Sequence, residues 1–281
     1  ELFTWAKRPD ERLPFDSGVP LPEPFNLGTN HGGASISVDN KLMVLAANRP
    51  VPSNPANVDL FSTEYHVDYR DLDGSAVYTW TPLVPLGANV NSPQGWEAQP
   101  SISGDGETLF FAAARTESTR DKDGNLTMDI FVSTRLDNGT WGPAEQLPAP
   151  VNSQAQDKSP FFHPDGRTLY FSSNRLPSGG GYDLWMSQRD ATGTWGDPVN
   201  LGRPLNSSGD EHGLVVSTDG ELGIFASRRR GTRGLDLCTY PLPADLKPDQ
   251  VTVVKGDLGW PVPEGALKVS IEYVQSKRVE E

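Results

Sequence analysis

Four titratable residues occupy one position of a repeated pattern, just ahead of the first strand of each unit. Three carboxylates that face a common axis repel each other unless a cation or a basic group lies among them. Oxygen ligands of this kind suit Ca²⁺ or Na⁺. One hypothesis is therefore a cation site in a central channel, and the alternative is that these side chains point into solvent. The residues are His31, Glu97, Asp157 and Glu211.

A second set of residues is basic and suits the binding of a partner. Four arginines lie close together in an otherwise acidic chain, and guanidinium groups bind carboxylates or phosphates by paired hydrogen bonds. A lysine and a histidine each follow one of the carboxylates named above. Histidine beside glutamate can serve acid–base chemistry, but no second catalytic element is evident. The residues predicted to bind a partner are Arg228, Arg229, Arg230, Arg233, Lys158 and His212.

The elements that position these residues come from a fourfold internal repeat. Units of equal length begin at residues 33, 99, 159 and 213, as in QPSISGDGETLFFAAAR and SPFFHPDGRTLYFSSNR. In each unit two extended runs flank an Asp-Gly or Asp-Asn pair, which favours a hairpin turn. We call the two strands A and B. An arginine follows the turn aspartate by ten residues, which predicts a structural salt bridge or a turn clamp. The aspartates are Asp39, Asp105, Asp165 and Asp219, and the arginines are Arg49, Arg115, Arg175 and Arg229.

Two further signatures complete the unit. Alternating runs such as MDIFVST and YDLWMS predict a half-buried strand C. Proline-containing runs such as WGPAEQLPAPVNS predict an outer edge strand D, where a missing N–H costs little. The fourth unit has no strand D of its own, whereas LPEPFNLGTN at residues 21–30 matches that pattern. An N-terminal strand that completes the last unit is the closure expected of a β-propeller.

The fold class predicted is therefore all-β, a β-propeller with four visible blades closed by an N-terminal strand and followed by the start of a small β-domain. Additional cryptic blades that complete a larger ring are the alternative. The predicted organisation is an N-terminal extension (1–20), the propeller (21–240), a linker (241–248) and the start of a further β-domain (249–281).

Strand alternation places the D–A and B–C connections of every blade on one face, which we call the loop face. Its B–C loops differ in length and charge from blade to blade, as NRLPSGGG and RRRGTRG illustrate. Loops that are free of the repeat on a rigid scaffold are where binding specificity usually lies. We therefore expect a ligand or partner to bind at the loop face.

The run SPFFHPDGRTLYFSSNR followed by GGYDLW resembles the PD40, or WD40-like, repeat of TolB-type propellers. The run WGDPVNLGRPLNS at residues 195–207, which is followed by acidic residues, is similar to a run in the propellers of OmpA-family envelope proteins. VTVVKGDLGWPVPEGALKVSI resembles the start of a carboxypeptidase-regulatory-like β-domain. The resemblance implies an extracytoplasmic protein, in the periplasm or at the outer membrane, that acts as a scaffold for a protein partner in the cell envelope.

Composition narrows the classes of function. The formal charge of −13 repels nucleic-acid backbones and anionic membrane surfaces, and no run of apolar residues is long enough for a membrane span. The one cysteine, Cys238, allows no internal disulfide. No nucleophile, zinc or phosphate-loop motif appears. A cofactor is not expected beyond the possible channel cation.

The leading prediction is therefore a non-enzymatic interaction module that binds a protein partner through its loop face. A carbohydrate-binding or glycan-cleaving propeller is the first alternative, because paired carboxylates for glycoside cleavage have no fixed sequence spacing. A structural spacer is the second.

Overall fold

The structure is a computed structural model of the chain, and it describes residues 3–6, 16–26, 31–48, 57–70, 75–252, 271–273 and 278–280. These residues form an all-β fold in which four small sheets are arranged as a four-bladed β-propeller. A short 3₁₀ turn at Ala244–Leu246 is the one helical element within them. No helix in the described part of the chain has the length and apolar character needed to cross a membrane.

Blades 2 and 3 are antiparallel meanders whose strands follow the order A, B, C and D of the repeat. Blade 1 has an additional strand between C and D, and the described residues of blade 4 form strands A to C. A short N-terminal pair precedes the first blade, and a second pair follows the last. The N-terminal pair is β1 (Thr4–Trp5) and β2 (Val19–Pro20). Blade 1 is β3 (His31–Ile36), β4 (Leu42–Asn48), β5 (Val58–Arg70), β6 (Ser75–Trp80) and β7 (Val84–Pro85). Blade 2 is β8 (Trp96–Ile102), β9 (Thr108–Ala114), β10 (Asp129–Thr134) and β11 (Glu145–Gln146). Blade 3 is β12 (Asp157–Phe162), β13 (Thr168–Ser173), β14 (Asp183–Gln188) and β15 (Val199–Asn200). Blade 4 is β16 (Glu211–Val216), β17 (Leu222–Ser227) and β18 (Asp236–Pro241). The last pair is β19 (Ile271–Tyr273) and β20 (Arg278–Glu280).

The core lies between neighbouring blades. Blade 1 packs on blade 2, blade 2 on blade 3 and blade 3 on blade 4, each through its own cluster of buried apolar side chains. The central strands supply most of this core because both of their faces are covered. Strand β13 is buried at every residue, for example.

The predicted turn clamp is found in all four A–B hairpins, but it is formed by the aspartate without its arginine: Arg115, Arg175 and Arg229 pair with other carboxylates. The aspartate of each turn accepts a hydrogen bond from the backbone N–H two residues later, as Lys41 donates to Asp39 at 3.0 Å. In three hairpins a serine two residues before the aspartate also donates to it, as Ser217 does to Asp219 at 2.5 Å. These aspartates therefore shape the turns.

The N-terminal segment is not where the closure prediction placed it. Phe25 is 2% exposed and packs on Leu45 and Ala47 of blade 1, but its segment does not pair with β18 of blade 4. Strand β2 pairs with β1, and Asn26 exchanges hydrogen bonds with the backbone of Phe3. The segment has the strand D conformation, but it pairs with a C-like strand of its own. Leu27 lies outside the described residues.

Candidate ligand site

The carboxylates predicted to surround a channel cation are buried and face the blades. Glu97, Asp157 and Glu211 are all 0% exposed. A nearby serine hydroxyl donates a hydrogen bond to each, with distances of 2.8 Å from Ser92 to Glu97 and 2.6 Å from Ser207 to Glu211. None of the three lines the central cavity described below.

A basic group, rather than a metal ion, neutralises each of these carboxylates. The arginine at the end of strand B pairs with the carboxylate at the start of strand A in the same blade. The pairs are Arg115–Glu97 at 3.0 Å, Arg175–Asp157 at 2.6 Å and Arg229–Glu211 at 3.7 Å. Each guanidinium also donates to backbone carbonyls of the preceding D strand or the turn after it, as Arg229 does to Leu205 at 2.6 Å. The pairs therefore tie three strands together.

The cation prediction is corrected on these grounds. Among the described residues no group of three or more His, Cys, Asp and Glu side chains could hold a metal ion. His31, the fourth residue of the predicted cation site, stacks on Phe3 with ring centroids 5.8 Å apart. Burial raises the pKa of Glu97, while Arg115 beside it acts in the opposite direction. The positive charge that neutralises these carboxylates therefore comes from arginine and not from a bound cation.

The central channel is lined by a ring of four backbone bulges, one on the innermost strand of each blade. At each bulge the pairing between strands A and B slips, and the extra residue adopts a positive φ. The φ values are 50° at Gly33, 53° at Gln99, 51° at Ser159 and 63° at Gly213. Two of the four are not glycine, and non-glycine residues in this region carry backbone strain that clusters at functional sites.

The cavity at the centre has a volume of about 490 Å³ and is mostly apolar. Pro100, Pro160 and Leu214 form part of its wall, whereas Gln99, Ser159 and His212 are polar side chains that reach it. The side-chain oxygen Oε1 of Gln99 accepts a hydrogen bond from the backbone N–H of Ser159 at 2.9 Å, which orients the side-chain amide of Gln99. An apolar cavity with a few convergent polar groups is typical of a ligand site.

A cluster of polar side chains lies at the loop face between blades 3 and 4, and we call it the blade 3–4 cluster. Lys158 Nζ lies 3.8 Å from the centre of the Tyr182 ring, and the His212 ring centroid lies 4.9 Å from that of Tyr182. Asp210 accepts a hydrogen bond from the Tyr182 N–H at 3.1 Å and lies 3.8 Å from Arg228. His212 belongs to both the cluster and the cavity wall.

The electrostatics of this cluster are perturbed by burial. Loss of solvent lowers the pKa of His212 to about 4, and the charge of Lys158 acts in the same direction. Burial also lowers the pKa of Lys158, against the attraction of Asp210. The Nδ1 atom of His212 is buried without a hydrogen-bond partner. Perturbed groups in a cleft are candidates for function.

The structure brings together two of the six residues predicted to bind a partner. Lys158 and His212 meet at Tyr182. Arg229 is committed to Glu211, so it belongs to the scaffold. Arg228 reaches Asp210 at the edge of the blade 3–4 cluster, whereas Arg230 and Arg233 are exposed and neither is part of it. The basic cluster of the sequence is therefore divided among different roles.

Sequence reasoning missed Tyr182 and Asp210. Asp210 lies in a D–A connection, and Tyr182 occupies a repeated position at which the residue type differs among the blades. One signal was present: the residue before the strand C aspartate is Val58, Met128, Tyr182 or Leu235 in the four blades, and the tyrosine alone of these carries a polar group.

The pH dependence of stability provides a prediction for His212. The unfolded chain binds a proton at this histidine near pH 6.5, whereas the folded protein excludes it until about pH 4. Because the unfolded state then binds more protons, the free energy of unfolding falls as the pH drops from 6.5 to 4. The loss is expected to be on the order of 1–2 kcal/mol after allowance for partial exposure.

This loss is measured by urea unfolding at pH 7 and pH 4.5. His212→Gln is expected to remove this component, and His66→Gln, at a half-exposed histidine, serves as the control. An equal pH dependence in wild type and His212→Gln would contradict the assignment.

Comparison with known proteins supports the architecture at low similarity. No known protein family and no curated protein matches the chain. An α-L-arabinofuranosidase from Lactobacillus brevis is 12% identical, with 72% of this chain and 69% of that chain covered and a TM-score of 0.44. An α-L-arabinanase from Penicillium chrysogenum, complexed with arabinobiose, is 15% identical, with 75% and 62% covered and a TM-score of 0.41. A puromycin hydrolase is 14% identical, with 81% of this chain but only 40% of that chain covered and a TM-score of 0.44.

Likeness this distant shows the β-propeller fold alone. Nothing in these comparisons supports the predicted PD40 or OmpA-family relationship. The three structures named above are enzymes, and two of them are an α-L-arabinofuranosidase and an α-L-arabinanase, so the predicted non-enzymatic scaffold is corrected here. The glycan alternative agrees better with these findings, and its support must come from the site itself.

Proposed function

We propose that the protein binds and cleaves glycans at the blade 3–4 cluster, with the central cavity beneath it. One observation carries the proposal: an ammonium, a phenol, a carboxylate and an imidazole converge at the loop face, beside an apolar cavity of about 490 Å³. Of these four groups the imidazole of His212 lines the cavity, and the other polar residues of its wall are Gln99 and three serines. This combination is the usual form of a small-ligand site.

The chemistry of the four groups suits a sugar. Hydroxyl groups both donate and accept hydrogen bonds, and here Lys158 donates, Asp210 accepts and the Tyr182 hydroxyl does either. His212 is neutral near pH 7 because of its lowered pKa, so it offers one donor and one acceptor. An uncharged, hydroxyl-rich ligand satisfies all four groups without the burial of a new charge.

Cleavage of a glycosidic bond needs one group that protonates the leaving oxygen and another that activates water. Asp210 and His212 supply a carboxyl group and an imidazole, which are side-chain types that serve as general acid and base. Glu97, Asp157 and Glu211 do not take this part, because they are fully buried and paired with arginine.

Release of oligosaccharides from plant and bacterial cell-wall polymers tests the proposal, together with binding to a glycan array. Asp210→Asn is expected to lower the rate of sugar release by about 100-fold. Asp197→Asn, an exposed aspartate in the C–D connection of blade 3, is the matched control and is expected to leave the rate unchanged. Absence of both binding and release for the wild-type protein would overturn the proposal.

The placement of the protein outside the cytoplasm is a separate proposal that rests on the PD40 resemblance. The protein is expected in the periplasmic or outer-membrane fraction of its host after cell fractionation. Recovery in the cytoplasmic fraction alone would contradict it.

A further inference from the structure

The outer strand of blade 4 is uncovered at the position where the other blades are most deeply buried. Leu60, Ile130 and Leu184 occupy one position of strand C in blades 1 to 3, and each is 0% exposed. Leu237 occupies that position in blade 4 and is 76% exposed. The described residues place no strand D beside β18.

In blade 3 two elements cover this position: strand D of the same blade, and the neighbouring blade 4, whose Leu214, Val216 and Phe225 share the core cluster of Leu184. A short strand D pairs with strand C in blades 1 to 3. An asparagine that follows strand D forms hydrogen bonds with both the N–H and the carbonyl of the buried residue. Asn206 accepts a hydrogen bond from the Leu184 N–H at 2.7 Å and donates to the Leu184 carbonyl at 2.9 Å. Asn91 and Asn152 do the same for Leu60 and Ile130.

The hydrophobic part of the covering strand is equally constant. Leu201 and Leu205 of blade 3 are buried in the core between blades 3 and 4, and the asparagine follows directly. The other covering strands repeat a leucine and, four residues later, a second apolar residue: Leu86 with Val90, Leu147 with Val151, and Leu21 with Phe25. The required pattern is therefore leucine, three residues, an apolar residue and asparagine.

The surface next to the open edge is also apolar. Val215 is 51% exposed and pairs with Ile224, and Ala226 pairs with Leu237. All of these except Ile224 also line the central cavity, so this face forms one side of it. All four lie on one face of blade 4, since side chains alternate along each strand. An edge with unpaired backbone groups beside an apolar face is a template for the addition of another strand.

We propose that blade 4 binds an extended strand of a partner polypeptide that carries this leucine–apolar–asparagine pattern. The four complete copies of the pattern within the chain are already engaged, at Phe3, Leu60, Ile130 and Leu184. A second copy of the protein has the same copies engaged in the same way. Residues 258–262, LGWPV, repeat the apolar part, but proline stands at 263 where the asparagine is needed.

A labelled peptide tests this proposal on the full chain. The peptide PVNLGRPLNSS copies residues 198–208, and its fluorescence anisotropy is measured as the protein is titrated. Saturable binding is expected, and Leu237→Lys is expected to weaken it at least tenfold. Replacement of the peptide asparagine by alanine is expected to have a similar effect. Leu176→Lys is the control, at an 87% exposed leucine outside this surface.

A second measurement separates a partner from the chain itself. Trp185 faces Asn200 in blade 3, and the corresponding positions are Cys238 and residue 257. Asp257→Cys under mild oxidation would form a disulfide with Cys238 if residues 256–262 covered the edge, whereas Gly256→Cys would not. Peptide binding without this disulfide supports the proposal. An intramolecular disulfide, a disulfide-linked dimer or peptide binding that is insensitive to Leu237→Lys would overturn it.

Discussion

Replacement of Arg175 by methionine is expected to lower the free energy of unfolding by about 3–5 kcal/mol. The substitution leaves Asp157 fully buried without its partner at 2.6 Å. It also removes the hydrogen bond from Arg175 to the Pro150 carbonyl at 2.9 Å. A buried charge that has lost its partner costs far more than an exposed one, because no water replaces the partner.

Urea unfolding measures this effect, and two further variants interpret it. Arg167→Met removes an exposed pair with Asp249 and is expected to cost less than about 1 kcal/mol. The double variant Asp157→Asn, Arg175→Met is expected to be more stable than Arg175→Met alone, because the neutral amide leaves no buried charge. A cost below 1 kcal/mol for Arg175→Met would show that the buried pairs do not tie the blades.

Replacement of Leu184 by alanine is the second large effect. Leu184 is fully buried between blades 3 and 4, so its truncation leaves a cavity and is expected to cost about 2–5 kcal/mol. The same change at Leu237, its counterpart in blade 4, is expected to cost less than about 0.5 kcal/mol, since that side chain is 76% exposed.

The comparison of these two leucines uses the repeat as its own control, because both occupy the same position of strand C and they differ in what covers them. Midpoints of urea unfolding measure both costs. Equal destabilisation by Leu184→Ala and Leu237→Ala would mean that Leu237 is covered in solution.

Much of the fold could be predicted because its signals are local. Asp-Gly turns, alternating apolar residues and prolines at edges predict strands A to C of every blade and strand D of blades 1 to 3. The long hairpin of β5 and β6 in blade 1 has no counterpart in the repeat and was not predicted. The partner of a strand D is not local. The pattern at residues 21–26 is the same whichever strand C it joins, so sequence could not show that it pairs with residues 3–6 rather than with blade 4.

The carboxylates Glu97, Asp157 and Glu211 and the arginines could also be identified from the sequence. Which carboxylate pairs with which arginine could not. The spacing of ten residues suggests that Arg175 pairs with Asp165. Strand β13 lies between them, and six residues of strand separate its ends by roughly 20 Å. The arginine therefore lies at the far end of the hairpin, beside the start of strand A, where Asp157 stands. The residue types of Tyr182 and Asp210 are not repeated in the other blades, and only the folded arrangement brings these two residues to Lys158 and His212.

The central claim is that a glycan binds at the blade 3–4 cluster. The imidazole NMR signals of the four histidines report on this directly, once His212→Gln has assigned the His212 signal. Titration with an oligosaccharide that the protein releases or captures is expected to shift the His212 signal in a saturable manner and to leave that of buried His163 unchanged. A His212 signal that stays fixed while the glycan binds would contradict the account.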